Sequence, residues 1–191
     1  MKLSGTVTNK NKIPVKDAQI EIKDEKFQTI YNTLTNENGY YEIITDNKIY
    51  PFVTGIKDYA INNLEFWAQN IDLSKDVILD FSFDKLEIYG LHVFKVKGGF
   101  PSLLIYFRPM SLSKFQNNEK DICPDIKNIY VKVDDKETKI IKINEVYENC
   151  GNLDMKSFLI QVAYNNKTWS KVFVEINDIH NNYGQALIYN N

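Results

Sequence analysis

The sequence predicts an all-β protein made of two β-sandwich domains, and three observations support this. Apolar and polar residues alternate with a period of two along most of the chain, which is typical of antiparallel sheets with one wet face. Turn-forming Asn, Asp, Gly and Pro residues interrupt these runs repeatedly. The length of 191 residues is enough for two domains of roughly 100 residues each. We place the domains at 1–84 and 85–191.

Six strands and one helix are predicted for the first half. The helix covers 58–71 (DYAINNLEFWAQNI), where apolar residues recur every three or four positions, at Ala60, Leu64, Trp67 or Ala68, and Ile71. Asn38-Gly39 predicts a hairpin turn, because both residues tolerate positive φ angles. The predicted strands are KLSGTVT, AQIEIKD, QTIYNTLT, YYEIIT, IYPFVTGI and VILDFSFD.

Seven strands are predicted for the second half, which is the number that an immunoglobulin-like sandwich of about 100 residues needs. The segment 97–101 (KGGFP) predicts a tight connection, and 114–125 (KFQNNEKDICPD) is the longest polar loop. The strands are LEIYGLHVFKV, SLLIYFRPM, NIYVKVD, TKIIKINEVYE, SFLIQVAY, KVFVEIND and ALIYN. This second likeness rests on strand count and spacing, and fold alone does not give function.

Three segments of the first half, GTVTNKNKIPVKDAQIEI, TLTNENGYYEI and YPFVTGIKDYA, together resemble the carboxypeptidase regulatory-like domain. Asn36 stands where that family usually has Asp, and Asp58 stands where it has Gly. The resemblance implies a transthyretin-like sandwich of the carbohydrate-binding-like group, with one short helix before its last strand. Its motif is weakly specific for function. The matching positions are Gly5, Pro14, Val15, Ala18, Thr35, Gly39 and Tyr41.

The composition excludes some partners and leaves the compartment open. A net charge of −2 argues against nucleic acid as the main partner, because phosphate binding needs a concentrated basic surface. No apolar run reaches the roughly 20 residues of a membrane-spanning helix, so no membrane insertion is expected. The start of the chain lacks the apolar stretch of a signal peptide. The protein is cytoplasmic if Met1 is the natural start, and extracellular or on the cell surface if a signal was removed.

Residues with catalytic or metal-binding potential are few. The two histidines, His92 and His180, lie in a strand and in a polar turn. No nucleophile elbow, phosphate-binding loop, H-E-x-x-H or C-x-x-C motif is present. The cysteines, Cys123 and Cys150, form no ligand motif; they could form one disulfide, but free or partly buried thiols are expected. We therefore predict no catalytic residue, no metal and no cofactor.

A glycan site is predicted at Trp169, Tyr183, Asn166 and His180. Sugar-binding modules present exposed aromatic rings next to Asn, Asp and Lys, and the NNKTWSK turn and the turn before Tyr183 have this composition. The alternative is that Trp169 begins a strand and packs in the sandwich core.

Two further groups of residues are expected at the junction of the domains. Arg108 is the only arginine in the chain. We predict a structural clamp near the domain interface, stacked on an aromatic ring and bridging a carboxylate, because lysine cannot copy that geometry; a ligand-binding arginine is the alternative. The candidate acids are Asp80, Asp84 and Glu87. The tyrosines expected at the domain contact or at an oligomer interface are Tyr40, Tyr89, Tyr106 and Tyr130.

The function predicted from these features is that of a non-catalytic binding module. The abundance of Asn, Lys and Ile indicates an AT-rich bacterial genome. Carbohydrate is the favoured ligand class. The alternatives are protein–protein interaction or self-association, as in an assembly subunit of a surface or phage-like structure, and then an enzyme of unknown type.

Overall fold

The computed structural model describes residues 1–151 and 153–190, which fold almost entirely into strands. The all-β fold class is confirmed. In the first half the strands are β1 Lys2–Asn9, β2 Gln19–Lys23, β3 Thr29–Leu34, β4 Tyr40–Ile44, β5 Ile49–Ile56, β6 Phe66–Asp72, β7 Val77–Ile78 and β8 Phe81–Phe83.

All seven strands expected in the second half are present, and one two-residue strand is added. The elements are β9 Leu86–Phe94, β10 Ser102–Ser111, α1 Leu112–Gln116, β11 Ile126–Val133, β12 Lys136–Glu137, β13 Ile140–Asn149, β14 Asp154–Ala163, β15 Lys171–Asp178 and β16 Tyr183–Tyr189. The short connection predicted at 97–101 lies between the antiparallel strands β9 and β10.

One eight-stranded sheet runs through both halves of the chain. Its strand order is β12-β11-β15-β16-β6-β5-β2-β3, and β16 joins β6 in parallel, with Ala186 opposite Trp67. A sheet of β4, β1, β7 and β8 covers the first half of it, and a sheet of order β13-β14-β10-β9 covers the second. The two sandwiches thus share a sheet across the predicted boundary. The division of the chain into domains at 1–84 and 85–191 remains a prediction.

Two apolar cores fill the two sandwiches, and strand β16 contributes to both. Ala186 and Ile188 point into the second core, whereas Leu187 points into the first. Because successive side chains of a strand point to opposite faces, a central strand covered on both sides is apolar throughout. The run ALIY near the end of the chain is explained by this double burial.

The helix predicted over 58–71 is wrong. A turn occupies 58–63, and the residues from Phe66 onward form strand β6. Within residues 1–151 and 153–190, α1 is the one helix; it lies in the second half and includes the first three residues, 114–116, of the loop predicted at 114–125. The short helix that the family resemblance implies for the first half is therefore absent from that region.

A kink shared by two strands imitated the helical pattern. Strand β6 pairs with β5 on both sides of Pro51 and Asn70, where Asn70 takes a φ of 57°. Proline has no N–H to donate, so the ladder is interrupted at this point. The inward-facing residues before and after the kink, Ala68 and Ile71, are consequently three apart. This spacing matches one face of a helix as well as it matches a kinked strand.

The turn at Asn36–Tyr40 is present, but it does not close a hairpin. Strand β3 pairs with β2 and strand β4 pairs with β1, so this turn carries the chain from one sheet to the other. The Asn36 Oδ1 atom accepts from the N–H groups of Asn38 and Tyr40 at 2.9 and 3.1 Å, and Gly39 takes a φ of 70°. The same side-chain cap closes the turns at Asn9–Ile13, Asp24–Gln28 and Asp178–Asn182.

Candidate functional site

The two aromatic residues predicted to stack on a ligand lie inside the protein. Trp169 is 9% exposed and belongs to the second core, and Tyr183 is 8% exposed. The Tyr183 hydroxyl has internal neighbours as well, the side chains of Glu175 and Gln185. These two rings therefore do not offer the exposed platform that was expected, and the alternative of a core tryptophan describes Trp169.

The four predicted ligand-binding residues also fall into two separate groups. Strands β15 and β16 pair from Lys171 opposite Tyr189 to Asn177 opposite Tyr183, a ladder roughly 20 Å long at about 3.3 Å per residue. The exposed Asn166 lies with Trp169 before one end of this ladder, and the exposed His180 lies with Tyr183 at the other. One ligand of ordinary size does not contact both groups.

A different set of aromatic side chains is brought together at the junction of the two halves. They line a cleft of about 230 Å³, which we call the aromatic cleft. The first half supplies residues from the β2–β3 turn, β5 and β6, and the second half supplies residues from β9, β10 and β13. The lining residues are Phe27, Phe52, Trp67, Gln69, Tyr89, Gly90, His92, Tyr106 and Glu148.

Four of these rings form a continuous row. Phe27 stacks on Phe52 with their centroids 4.8 Å apart, and Phe52 meets Trp67 edge to face at 5.8 Å. Trp67 then meets Tyr89 edge to face at 5.9 Å, which carries the row from the first half into the second. Such pairs favour well-defined ring orientations. Contrary to expectation, Trp67 is a partly exposed wall of the cleft and not a core residue of a helix.

Phe27 reaches the row from a backbone conformation that is rare for a bulky side chain. It occupies the fourth position of the turn at Asp24–Gln28 and has a φ of 60°. The equivalent positions of the other three capped turns hold Lys12, Gly39 and Asn181. An aromatic residue with positive φ is an outlier, and such outliers cluster at functional sites. The ring is nevertheless 51% exposed, above Phe52.

A bulge in strand β9 directs two more side chains into the cleft. Tyr106 pairs with His92, but Arg108 pairs with Tyr89, so β9 holds one extra residue, and Gly90 in this stretch takes a φ of 62°. A bulge reverses the alternation of a strand and re-aims its side chains. Tyr89 and His92 therefore both line the cleft, although they are three residues apart.

The carboxyl group of Glu87 lies beneath the row and is 1% exposed. The Trp67 indole N–H donates to its Oε1 atom at 2.9 Å, and the backbone N–H of Glu65 donates to its Oε2 atom at 3.2 Å. Burial raises the pKa of Glu87 to about 7, although these two hydrogen bonds act in the opposite direction. Burial also raises the pKa of Glu65, whose carboxylate pairs with Lys23 at 3.2 Å.

Arg108 contacts two residues that line the second-half side of the cleft, Tyr89 and Glu148. Its guanidinium lies 4.8 Å from the ring centroid of Tyr89 and forms an ion pair with Glu148. An aromatic ring and a carboxylate are the partner types expected for a clamp, but Glu148 is none of the three candidate acids. The contact lies within the sheet of the second half. The clamp role itself remains a prediction.

The remaining chemically reactive side chains are dispersed. Within the described residues, no group of three or more His, Cys, Asp and Glu lies close enough together to hold a metal ion. Both cysteines are free thiols, and burial raises the pKa of Cys123 to about 12. No helix in residues 1–151 and 153–190 has the length and hydropathy needed to cross a bilayer.

The cleft was not predicted as a site, although parts of it were visible in the sequence. Tyr89 and Tyr106 were expected at the contact between the halves, and both lie there. Asp24 is a turn former, and the aromatic Phe27 follows it three residues later. Gly90, at the bulge, directly follows the aromatic Tyr89. Trp67 was assigned to a helix, so its position at the junction, where it pairs with Ala186 of strand β16, was not predicted.

Comparison with known proteins gives low similarity. No protein-family model matches the chain, and no curated protein matches it. Similar solved structures include the major pilin subunit of Bacillus cereus, at 10% identity over 98% of this chain and 68% of that one, with a TM-score of 0.33. A DUF3823 family protein from Bacteroides ovatus ATCC 8483 has 10% identity over 98% of each chain and a TM-score of 0.35.

A proposed carbohydrate binding protein from Bacteroides uniformis ATCC 8492 has 10% identity over 99% of this chain and 98% of that one, with a TM-score of 0.35. These likenesses carry no inference about the function of the chain. Because no family model matches, the resemblance of 1–84 to carboxypeptidase regulatory-like domains stays a prediction.

Proposed function

We propose that this chain is a non-catalytic binding module and that the aromatic cleft holds a carbohydrate. The observation that carries the proposal is the row of rings from Phe27 through Phe52 and Trp67 to Tyr89, which is partly exposed and lines one cleft. Sugars present apolar C–H faces that pack on aromatic rings, and polar groups around such rings hydrogen-bond the hydroxyls.

The polar groups of the cleft suit a neutral sugar. Gln69 and His92 supply an amide and an imidazole, and both can donate or accept hydrogen bonds. The negative charge of Glu148 is balanced by Arg108. A ligand with a large net charge would find no strong counter-charge here. The volume of about 230 Å³ lies below the roughly 300–1,000 Å³ of sites for drug-sized ligands, so one or two sugar units are the expected occupant.

The first half supports this ligand class through its predicted family. We propose that residues 1–84 are a carboxypeptidase regulatory-like domain, whose fold is grouped with carbohydrate-binding-like folds. The proposed site differs from the one predicted at Trp169 and Tyr183. It keeps the same chemistry but uses rings that a ligand can reach.

A glycan array with the full chain tests the proposal, followed by titration calorimetry of any sugar that binds. Phe27→Asn removes the outermost ring and places a residue that tolerates positive φ in the turn. We expect this variant to weaken binding at least tenfold. Phe115→Ala is the matched control, because Phe115 is 52% exposed on α1, outside the cleft. An empty array, or equal losses in both variants, would contradict the proposal.

A second candidate function is self-association through strand β13. This ten-residue strand is at the edge of its sheet, and Ile141, Ile143 and Tyr147 on it are exposed. A long unpaired edge with apolar side chains is a template for another strand. Light scattering behind a sizing column tests this candidate. It predicts a dimer that Ile143→Lys converts to a monomer, and a monomeric wild-type chain at high concentration would exclude it.

A further inference from the structure

The contacts of Glu87 join the cleft to the buried junction. Glu87 is on strand β9 of the second half, whereas both groups that donate to its carboxylate, the Trp67 indole and the Glu65 backbone, belong to the first half. Each carboxylate oxygen therefore has one donor. With 1% exposure, Glu87 has little water to replace either bond.

The hydrogen bond from Trp67 determines how its ring stands in the cleft. An indole has a single N–H, so the bond to Glu87 selects one of the two ring orientations about the bond to the side-chain stem. In this orientation the ring is nearly perpendicular to both Phe52 and Tyr89, at 89° and 88°. Which edge of the Trp67 ring faces the cleft thus depends on the carboxylate of Glu87, which is not among the lining residues.

We propose that Glu87 is the positioning residue of the aromatic cleft, and that protonation of its carboxylate loosens Trp67 and weakens ligand binding. The effect on binding rests on the proposed function of the cleft. The proton-linked change at Trp67 does not, and it can be measured without any ligand.

The electrostatic surroundings of Glu87 place this change near neutral pH. Burial raises its pKa to about 7, and the Glu65 carboxylate acts in the same direction. Arg108 acts in the opposite direction, but its guanidinium is also paired with Glu148. A protonated carboxyl group keeps one full acceptor and loses the charge that strengthens the bond to Trp67. The titratable or charged groups around Glu87 and Trp67 are Glu65, Tyr59, Tyr89, Arg108, Lys23 and, in the lining of the cleft, His92 and Glu148.

The ligand-free experiment is a pH titration followed by NMR from pH 5 to 9. The chain has two tryptophans, so a proton–nitrogen spectrum has two indole signals, and Trp169→Phe identifies that of Trp67. We expect the Trp67 signal to shift with a midpoint near pH 7, and the Trp169 signal to shift much less. The chemical shift of the Glu87 side-chain carboxyl carbon should change with the same midpoint. This second measurement is made on the wild-type chain.

Two variants assign the transition. Glu87→Gln keeps the shape of the side chain but does not titrate, so the shift of Trp67 should disappear. His92→Gln removes the imidazole that also lines the cleft, and the shift should remain. A Trp67 signal that does not move in the wild type, or one whose transition survives in Glu87→Gln or vanishes in His92→Gln, would overturn the proposal.

The consequence for binding is tested with whichever sugar the array identifies. Since a charge-assisted hydrogen bond is about twice as strong as a neutral one, we expect the affinity at pH 8 to exceed that at pH 6 by about fivefold. In Glu87→Gln the two affinities should be equal. An empty array with a normal Trp67 titration would refute the binding function alone, whereas sugar binding without that titration would refute the role of Glu87 alone.

Discussion

The guanidinium of Arg108 on strand β10 lies 4.8 Å from the ring centroid of Tyr89 on the neighbouring strand β9. The same group pairs with Glu148 on β13, two strands away on the other side. One side chain thus links three strands of the second sheet. Arg108→Lys keeps the charge but loses the planar stack and the forked donors.

We expect Arg108→Lys to lower the free energy of unfolding by about 1–2 kcal/mol, because the stack contributes about 1 kcal/mol and a partly exposed ion pair at most about as much. For a chain of this size the melting temperature should fall by about 4 °C. Calorimetry measures this change. Lys156→Arg, at the exposed pair with Glu145, is the control and should leave the melting temperature unchanged. An unchanged melting temperature for Arg108→Lys, with loss of ligand binding, would make Arg108 a ligand-binding residue instead of a clamp.

The shared eight-stranded sheet leads to a prediction about cooperativity. Strand β16 pairs with β6 and places Leu187 in the first core, so neither sandwich is complete without the other. We expect a single unfolding transition in calorimetry. Each half also carries one tryptophan, so the fluorescence of Trp67→Phe reports on the second half and that of Trp169→Phe on the first. Within each variant, the fluorescence midpoint should agree with the calorimetric midpoint. Two separate transitions would show that 1–84 and 85–191 are independent domains.

The strands of the second half were readable from alternation, whereas strand partners were not. Every predicted strand of the second half exists, because period-two alternation reflects one buried and one wet face. The turn at Asn36–Tyr40 was also correct as a turn. Its role in joining two sheets was not predictable, because the local signal of Asn38-Gly39 is the same for a hairpin and for a crossing between sheets.

The cleft depends on contacts that local patterns do not encode. Trp67 faces Tyr89 because β6 lies beside β16 in the shared sheet, a pairing across more than 100 residues of chain. Sequence composition instead favoured Trp169, which stands among Asn and Lys but is buried. Neighbours in sequence indicate the polarity of a turn, but the burial of a large ring is decided by tertiary packing.

A close approach of backbone to ring makes Gly55 a sensitive position in the first core. A Cβ atom at this residue would lie 2.1 Å from the Phe81 ring, which itself stacks on Phe66 at 4.1 Å. We expect Gly55→Ala to lower the free energy of unfolding by about 1–3 kcal/mol, as overpacked cores do. Chemical denaturation measures this loss.

Gly99 provides the control for that variant. The three atoms nearest to an added Cβ atom at Gly99 all belong to Val96, at 3.2 to 3.3 Å, in the exposed β9–β10 connection. Gly99→Ala should therefore change stability by less than about 0.5 kcal/mol. Equal stability of Gly55→Ala and the wild type would mean that Phe81 can move aside, and that the first core is looser than its buried rings suggest.

The buried carboxyl group of Glu87 should make stability depend on pH. The folded protein holds this proton up to about pH 7, whereas an ordinary Glu with a pKa of 4.5 releases it earlier. The folded state therefore binds more protons than the unfolded state between these values, and the free energy of unfolding falls as the pH rises through that window. Above pH 7 the accumulated loss from this group is on the order of 3 kcal/mol, from the interval between 4.5 and about 7.

Glu87→Gln isolates this contribution, because it removes the titration and keeps a side chain of the same shape. We expect the variant to be more stable than the wild type at pH 8, and the two stabilities to converge at pH 5, as measured by urea denaturation at both values. Glu65 also has a raised pKa and is present in both proteins, so the difference reports the titration of Glu87 together with its interaction with Glu65. The opposite result would be a Glu87→Gln variant that is less stable than the wild type at pH 8. The charged carboxylate would then stabilise the junction, because the hydrogen bonds from Trp67 and Glu65 would outweigh the cost of its burial.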